Sequence, residues 1–361
     1  MRPRVAAVVE SCWHRVPGGT ATAAMRTMHA VRALDRHDLI GLAARHSGPP
    51  ALDELGDLPV THLPLPRAAL YEAWHLWRRP TFARRIGAVD VVHATGGVMP
   101  PARSGTLVAT MNDLVFLDHP EHLNRRGVRL MTRGFEIARD EAAVVVVPSE
   151  ATAEACRRHG IDDARLRVVP LGADAPPIDD AARMAVRRRF AVPERFALFV
   201  GTIEPRKNLR RLLEAHAAAT PDLPLLVVGP DGWGDTGLVP APGVRRLGRV
   251  GAAELSTLYD LATALVYPSL LEGFGLPVLE AMAHGTAALT SATTSTAEVA
   301  GDTGLLVDPL DVAAIGEALV SVRDDPERWA RLGEAARVRA ALFSWAATGC
   351  RIADVYDEVA A

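Results

Sequence analysis

A single lysine stands in a chain whose other basic side chains are all arginines. Thirty-nine of its forty lysine and arginine residues are arginine, and the exception is Lys207. Lys207 follows an apolar run and precedes a helical pattern, within residues 200–208. A compact ammonium group beside the start of a helix is an arrangement that binds phosphate. Because most lysines are solvated surface residues, phosphate binding by Lys207 alone stays one of two open interpretations.

The most specific stretch of the chain is a glycine-containing loop between a strand pattern and a helix pattern, in residues 267–285. Pro277 suits the first helical position, and Gly285 suits the residue just past the helix end. The first N–H groups of such a helix have no intrahelical partners and point back toward the loop. Together with Lys207 they would form a cradle for a diphosphate.

Two glutamates lie eight residues apart on this loop and helix. Glu272 is in the loop and Glu280 is one turn into the helix, so they can reach opposite ends of one elongated ligand. Carboxylates accept hydrogen bonds from pairs of hydroxyls, which suits a sugar at one glutamate and a ribose at the other. Gly273 and Gly275 have no Cβ, so a ligand can approach the backbone closely. Glu280 by itself is equally well an ordinary acid in the first turn of a helix.

These residues resemble the retaining glycosyltransferase family 4, the glycosyl transferases group 1, whose members have the GT-B fold. The resemblance is strongest in the second half of the chain and weaker but continuous in the first half. In the second half, the matching residues are Glu272 and Glu280, with Gly-Phe-Gly-Leu-Pro directly after Glu272. Three further stretches of that half match as well, namely Gly-Thr-Ile-Glu-Pro-Arg-Lys-Asn at 201–208 and the residues 298–302 and 304–309. The first half carries it at 91–95, 112–114 and 147–150.

The resemblance implies a role for each matching residue. Glu272 would meet the hydroxyls of the transferred sugar, Glu280 would bind the nucleotide ribose, and Lys207 would neutralise the leaving diphosphate. The loop at 17–20 would approach the diphosphate and the acceptor from the other domain, although its glycines are also those of a plain turn. The donor-binding set that follows is Gly18, Gly19, Gly201, Thr202, Glu272, Gly273, Phe274, Gly275, Leu276 and Glu280.

Two positions depart from the family pattern. Many relatives have an arginine directly after the glycine at Gly201, where this chain has Thr202, and Arg206 is either a replacement charge or a surface residue. The first-domain motif often contains His-Asp, where this chain has Asn112-Asp113. Asparagine can bind a sugar hydroxyl but cannot titrate. His93 and His14 are therefore candidates for contact with the acceptor, or else structural histidines.

The activity that the resemblance implies is transfer of a hexose, with mannose as the first guess, from a nucleotide diphosphate sugar to an acceptor hydroxyl. Glu272, Lys207, Arg206, Asn112 and Asp113 are the expected catalytic set, acting by orientation and charge stabilisation. No Asp-x-Asp motif occurs at a strand end, so neither a metal nor a cofactor is expected. Two alternatives stay open, namely an epimerase or phosphorylase on the same fold and a non-catalytic nucleotide-sugar-binding protein.

The order of elements predicts an α/β protein of the GT-B type, with two Rossmann-like doubly wound domains and the active site in the cleft between them. We expect an acceptor domain at 1–173, a linker at 174–190 and a nucleotide-sugar domain at 191–344. Residues 345–361 are expected, from the resemblance, to pack back on the first domain. The predicted strands are residues 5–9, 39–43, 89–93, 107–110, 144–147, 197–200, 225–228, 264–267, 287–289 and 305–307. Helices are predicted at 208–219 and 252–262.

The composition limits the kinds of partner that the protein is expected to bind and the compartment in which it is expected to act. The 361 residues carry a net charge of −3, which argues against non-specific binding of nucleic acid. Three separated cysteines and the lack of a signal peptide or a span-length apolar run favour the cytoplasm, with peripheral contact at the inner face of the membrane through basic pairs as an alternative. The acceptor and the oligomeric state stay open. The aromatic segment 70–79 either lines the acceptor side or forms helix core.

Overall fold

The chain divides into two units, each built on one parallel β-sheet. A computed structural model describes residues 2–14, 18–50, 58–103, 105–232 and 241–361. One unit comprises Met1–Gly172 and Trp345–Ala361, and the other comprises Ala173–Ser344.

The sheet of the first unit has the strand order β3-β2-β1-β4-β5-β6-β7, and each neighbouring pair is parallel. All residues of β4 and β6 are buried, including His93 of β4, and the valines of both strands suit a sheet covered on both faces. The strands are Arg4–Val8 (β1), Asp38–Ala43 (β2), Val60–His62 (β3), Val91–Ala94 (β4), Thr106–Thr110 (β5), Val144–Val147 (β6) and Leu166–Val168 (β7).

The sheet of the second unit has the order β10-β9-β8-β11-β12-β13, again with parallel pairs. Strand order therefore reverses between β8 and β11, and the loops that leave these two strands diverge to opposite faces of the sheet. Ligands of doubly wound sheets bind in the crevice at such a point. The strands are Ala197–Val200 (β8), Leu225–Val228 (β9), Val244–Gly248 (β10), Ala264–Tyr267 (β11), Ala288–Ser291 (β12) and Leu305–Val307 (β13).

Helices connect the strands, and several begin at an acid or serine whose side chain accepts from a backbone N–H of the first turn, as Ser149, Asp179 and Asp311 do. The helices of the first unit are Gly19–Ala33 (α1), Arg67–Trp77 (α2), Ala83–Ile86 (α3), Val115–Asp118 (α4), Arg125–Glu141 (α5), Glu150–Arg158 (α6) and, at the chain end, Trp345–Ala360 (α14). Those of the second unit are Asp180–Phe190 (α7), Leu209–Ala219 (α8), Ala252–Leu261 (α9), Leu276–Ala283 (α10), Ser295–Ala300 (α11), Val312–Asp324 (α12) and Pro326–Ala340 (α13).

Every predicted strand is present, with ends shifted by at most two residues, and both predicted helices are confirmed as α8 and α9. The sequence analysis missed β3, β7 and β10. All three are edge strands, with the sequences Val-Thr-His, Leu-Arg-Val and Val-Arg-Arg-Leu-Gly. Edge strands keep one side in water, so polar residues interrupt the apolar pattern that identifies a central strand.

The segment predicted as a linker contains a helix. Residues 180–190 form α7, which starts at the capping residue Asp179 and belongs to the second unit. Its Arg183 donates to both carboxylate oxygens of Asp260 on α9, at 2.7 and 3.1 Å. The helix was missed because Val186 is its one buried side chain, which leaves almost no apolar periodicity to detect.

The last helix, α14, is part of the first unit. It packs on α1 so closely that a Cβ at Gly349 would lie 2.6 Å from the Cβ of Ala30. Tyr356, Ile352 and Ala353 are buried in the core of that unit. Arg36 pairs with two aspartates of the helix, so polar contacts at its exposed side reinforce the packing.

Candidate active site at the switch point of the second sheet

The candidate site lies where the loops after β8 and β11 leave the centre of the second sheet. The two strands are neighbours, with Ala264 opposite Ala197 and Leu265 opposite Leu198. The loop after β8 contains the short 3-10 helix Pro205–Lys207, and the loop after β11 contains Glu272. The N–H of Leu270 donates to the carbonyl of Arg206 at 2.8 Å, which ties the two loops together.

Lys207 is buried and points into the loop that carries Glu272. Its Nζ lies 2.6 Å from Oε1 of Glu272 and 2.6 Å from the hydroxyl of Tyr267, which itself donates to the same oxygen at 2.8 Å. Asn208 holds the turn, because its Nδ2 donates to the carbonyls of Pro268 and Pro309 at 2.9 and 2.6 Å. The single lysine of the chain is therefore fixed in position at the switch point.

Arg206 adds a second cation to the same carboxylate. Its Nη1 donates to Oε2 of Glu272 at 3.1 Å and to the carbonyl of Leu271 at 3.0 Å, and its Nε donates to Oε1 of Glu204 at 3.0 Å. Its side chain is 21% exposed. Arg206 was predicted to be either a replacement charge in the site or a surface residue. Its contacts support the first of these interpretations.

The charged side chains of this cluster shift each other's pKa values. Burial on its own would raise the pKa of Glu272, but Lys207 and Arg206 outweigh burial and lower that pKa to about 2. Burial lowers the pKa of Lys207, and the carboxylate of Glu272 opposes that shift. Glu272 is thus a carboxylate at neutral pH and a poor proton acceptor. The cluster can orient and stabilise charge, which does not require either residue to gain or lose a proton.

The helix after the loop begins almost where the sequence predicts. α10 starts at Leu276, so Pro277 is its second residue and not its first, and Gly285 lies just past its end with φ +80°. Gly275 caps the start with φ +103°, and a Cβ there would lie 2.6 Å from Cγ2 of Thr296. Ser295 donates to the carbonyl of Glu272 at 2.9 Å and holds the loop against α11.

Replacing Gly275 by alanine is expected to destabilise the protein by about 1–3 kcal/mol, because the residue must keep a left-handed conformation and the methyl group must displace Thr296. The melting temperature should fall by several degrees. The matched control is Gly48→Ala, since a Cβ at Gly48 meets nothing within 4 Å. Equal melting temperatures for the two variants would show that the close approach at Gly275 is not needed.

Glu280 is the fifth residue of α10, as predicted, and is partly exposed. Its Oε2 accepts a hydrogen bond from the hydroxyl of Tyr259 at 2.9 Å. The remaining residues of the predicted donor set in this unit lie in the same two loops. Gly201 and Thr202 follow β8, and Gly273, Phe274 and Leu276 follow β11.

Sequence reasoning missed three polar residues that hold this cluster. Tyr267 ends β11, Glu204 precedes the 3-10 helix, and Ser295 begins α11. Glu204 lies inside the motif that identified Lys207, so its position was a usable signal. Ser295 contacts Glu272, and Tyr267 contacts Lys207, only through the folding of the chain, and no spacing in the sequence indicates these contacts.

In the first unit the predicted site residues lie at the starts of helices and the ends of strands. Gly18 caps α1 and Gly19 is its first residue, while Pro17 of the same loop lies outside the described residues. Asn112 and Asp113 follow β5, and Oδ1 of Asp113 accepts from the N–H of Val115 at 3.2 Å. Asp113 therefore helps to start α4.

The two histidines proposed to contact the acceptor differ in burial. His93 is 1% exposed, with Nδ1 2.6 Å from the hydroxyl of Tyr356 and Nε2 2.8 Å from Oγ1 of Thr110. Burial lowers its pKa to about 3, so it is neutral and structural, and we do not retain it as an acceptor-binding residue. His14 is only partly buried and lies 3.3 Å from the hydroxyl of Tyr71, so it stays a candidate.

Replacing Tyr356 by phenylalanine tests the structural role of His93. The variant leaves Nδ1 of a buried imidazole without a partner, so the free energy of unfolding should fall by about 1–3 kcal/mol. Urea unfolding measures the loss. Unchanged stability would contradict the structural role and return His93 to the candidates for contact with the acceptor.

Two negative findings concern the described part of the chain. None of its helices is both long and apolar enough to cross a membrane. Within residues 2–14, 18–50, 58–103, 105–232 and 241–361, no three or more histidine, cysteine or acidic side chains are grouped as a metal site requires.

Solved structures share this architecture over nearly the whole chain. Sucrose-phosphate synthase from Thermosynechococcus elongatus superposes with a TM-score of 0.79 at 22% identity, covering 99% of each chain. Anabaena Alr3699/HepE in complex with UDP and glucose superposes with a TM-score of 0.76 at 18% identity, covering 99% of this chain and all of that one. The fold is that of the GT-B glycosyltransferases, and the fold predicted from the sequence is confirmed.

Sequence comparison narrows this class to a family. The family described as Glycosyltransferase Family 4 matches residues 17–175, and Glycosyl transferases group 1 matches residues 183–339. O-antigen chain mannosyltransferase B from Escherichia coli is 33% identical over 295 residues, which are 76% of this chain and 77% of that protein. The chain belongs to glycosyltransferase family 4, group 1, and is a hexosyltransferase.

A second group of relatives has a different name. D-inositol 3-phosphate glycosyltransferase from Corynebacterium glutamicum (strain R) is 33% identical over 245 residues, which are 62% of this chain. The match spans 59% of that relative's own length.

Proposed function

We propose that this enzyme transfers a hexose from a nucleotide diphosphate sugar to an acceptor hydroxyl, with retention of configuration and without a metal ion. The observation that carries the proposal is the cluster of Lys207, Arg206 and Glu272 at the switch point of the second sheet. Nucleotide ligands of doubly wound sheets bind at such a point. The proposal keeps the cytoplasm as the place of reaction and requires no cofactor.

The two cations suit a leaving diphosphate. When the bond between the sugar C1 and the diphosphate oxygen breaks, negative charge develops on the diphosphate. Lys207, Arg206 and the N-terminal end of α10 all belong to the loops that leave β8 and β11, and the two cations and the positive end of the helix dipole can stabilise that charge. This is the electrostatic task that a divalent cation performs in other transferases, and it is why we propose catalysis without one.

The two glutamates suit the two ends of the donor. In the proposal Glu272 accepts hydrogen bonds from the hydroxyls of the hexose, and its oxygens are held in place by Lys207, Tyr267 and Arg206. Glu280 accepts from the ribose hydroxyls, with Tyr259 orienting its carboxylate. A bound ligand would replace water at these acceptors without moving the charged side chains.

Retention of configuration is part of the proposal, and in it Glu272 acts neither as base nor as nucleophile. A carboxylate with a pKa of about 2 that is bonded to two cations is a weak base and a weak nucleophile. We therefore assign deprotonation of the acceptor to the leaving diphosphate. The acceptor oxygen forms the new bond to C1 on the face that the diphosphate leaves, and its proton passes to a diphosphate oxygen.

The proposal for the donor sugar rests on the names of similar proteins. Two of them are named mannosyltransferases, which favours a mannose-like hexose and a GDP-linked donor. Structures of a similar fold hold UDP and UDP-glucose, so a uridine donor is the next candidate.

The test is a transfer assay with GDP-, UDP-, dTDP- and ADP-hexoses and a panel of acceptor hydroxyls. We expect one base to be preferred, the glycosidic product to keep the anomeric configuration of the donor, and EDTA to leave the rate unchanged. Release of free epimerised sugar would point to an epimerase, and binding of donor without turnover with any acceptor would point to a non-catalytic binding protein. Loss of activity with EDTA would overturn metal independence.

A further inference from the structure

A groove between α2 and α5 of the first unit is unexplained by the donor site. It has a volume of about 640 Å³, and its lining residues in the described part of the chain all belong to these two helices. Volumes of this order accommodate small-molecule ligands. Of the aromatic segment at 70–79, Tyr71 therefore lines a groove, Trp74 is buried in the core and Trp77 is exposed.

The groove is basic. Four arginines line it, against two glutamates. Each glutamate is already paired with one of the arginines, since Glu72 lies 2.9 Å from Arg126 and Glu136 lies 2.8 Å from Arg133. The charges of Arg67 and Arg129 remain without an acidic partner in the described part of the chain. Arginine forks bind phosphate oxygens in pairs, so this excess charge fits a phosphate or pyrophosphate group.

The groove is also apolar along α2. Leu76 lines it and its side chain is 65% exposed, and Trp77 next to it is 69% exposed. Leu130 contributes from α5. Leu76 and Leu130 therefore give the groove an apolar part beside its arginines. A ligand of matching chemistry has an apolar chain joined to its anionic group.

One end of the groove reaches the edge of the first sheet where ligands of this fold bind. Arg67 donates to the carbonyl of Trp13, which follows β1, at 3.3 Å. Tyr71 lies in the same part of α2 and contacts His14. A molecule in the groove would thus extend toward the carboxyl ends of the strands.

We infer that the groove between α2 and α5 binds the acceptor, and that the acceptor is an amphiphile whose hydroxyl-bearing head group is joined through a phosphate or pyrophosphate to a hydrocarbon chain. The inference rests on the proposed function, since it names the acceptor class of that reaction. Arg67 and Arg129 would bind the anionic group, and Leu76 would cover the chain.

Calorimetric titration with farnesyl pyrophosphate tests the inference without any sugar transfer. We expect the wild type to bind it at least tenfold more tightly than either farnesol or inorganic pyrophosphate, each of which offers half of the chemistry. Arg129→Ala should lose at least tenfold in affinity. The matched control is Arg125→Ala, because Arg125 is exposed on the same helix and does not line the groove.

Two further variants separate the groove from the donor site. Lys207→Ala should bind farnesyl pyrophosphate as the wild type does, and Leu76→Ser should lose affinity for it while binding of inorganic pyrophosphate is unchanged. Arg129→Ala should bind nucleoside diphosphates normally. If no nucleoside diphosphate binds while these results hold, the donor proposal fails and the groove stands as an amphiphile site.

Three results would overturn the inference. Equal affinities of Arg129→Ala and Arg125→Ala for farnesyl pyrophosphate would show that the groove is not its binding site. Inorganic pyrophosphate binding as tightly as the prenyl compound to Lys207→Ala, in which the donor cradle is weakened, would leave no role for the apolar surface. Binding of vesicles containing anionic lipid, with no binding of farnesyl pyrophosphate, would identify the surface as a membrane contact.

Discussion

Replacing Lys207 by alanine is expected to lower kcat/KM for sugar transfer by about 100-fold or more, the usual cost of removing one preorganised donor at a developing negative charge. The ammonium group is buried and held 2.6 Å from Glu272, so it reaches the transition state already oriented. No other lysine exists in the chain to replace it. Steady-state kinetics with the preferred donor measure the loss.

The same variant should distinguish the parts of the nucleotide. Affinity for the nucleoside diphosphate should fall by at least tenfold, while affinity for the nucleoside should change little, because Lys207 acts on the phosphates alone. Arg210→Ala is the matched control, since Arg210 is an exposed cation at the start of α8. Equal losses for nucleoside and diphosphate would show that the variant has disturbed the fold and that Lys207 is not a phosphate ligand.

Replacing Glu272 by glutamine should lower kcat/KM by more than tenfold. The amide keeps the size of the side chain, but it loses the charge that accepts from sugar hydroxyls and that stabilises the cation of Lys207. Alanine would in addition leave a buried lysine without its carboxylate, which makes glutamine the cleaner change. The matched control is Glu214→Gln, an exposed glutamate on α8. Kinetics equal to those of the wild type would remove Glu272 from the site.

The pH dependence of diphosphate binding gives Glu272→Gln a second readout. Burial already lowers the pKa of Lys207, and the carboxylate of Glu272 opposes that shift. Without the carboxylate the pKa of Lys207 falls further, so diphosphate affinity should be lost at a lower pH in the variant than in the wild type. Calorimetry across the alkaline range measures this, and identical profiles would mean that Glu272 does not control the charge of Lys207.

Acid stability follows from the pKa of Glu272. That pKa is about 2 in the folded protein against an ordinary 4.5, so the carboxylate stabilises the fold above about pH 4.5. This contribution, roughly 3 kcal/mol for a shift of this size, is lost as the pH falls toward 2. Glu272→Gln should lack this part of the acid dependence.

The sequence predicts the central strands and the cluster of Lys207 and Glu272 because these features are local. A buried parallel strand is a short apolar run, and the motifs on either side of the switch point are each contiguous. Edge strands such as β3 carry polar residues and so lack that signal. Ser295 reaches Glu272, and Tyr267 reaches Lys207, through long-range contacts that no spacing reveals.

His93 is a residue whose role the sequence could not decide. A histidine at the end of a strand fits an acceptor site and a buried hydrogen-bond network equally well in sequence terms. What decides is Tyr356, which lies 263 residues away along the chain and encloses the ring by the packing of α14. The groove between α2 and α5 is likewise absent from the sequence pattern, because its charges come from two helices.

The most direct test of the central claim uses the single lysine. Labelling with [¹⁵N]lysine gives one side-chain Nζ signal, that of Lys207, while the ³¹P signals of added GDP, UDP, dTDP or ADP report binding in the same sample. Lys207 as the diphosphate ligand predicts that the nucleotide that binds shifts the Nζ signal, whereas its nucleoside does not. A nucleotide whose ³¹P signals show binding while the Nζ signal stays unchanged would contradict it.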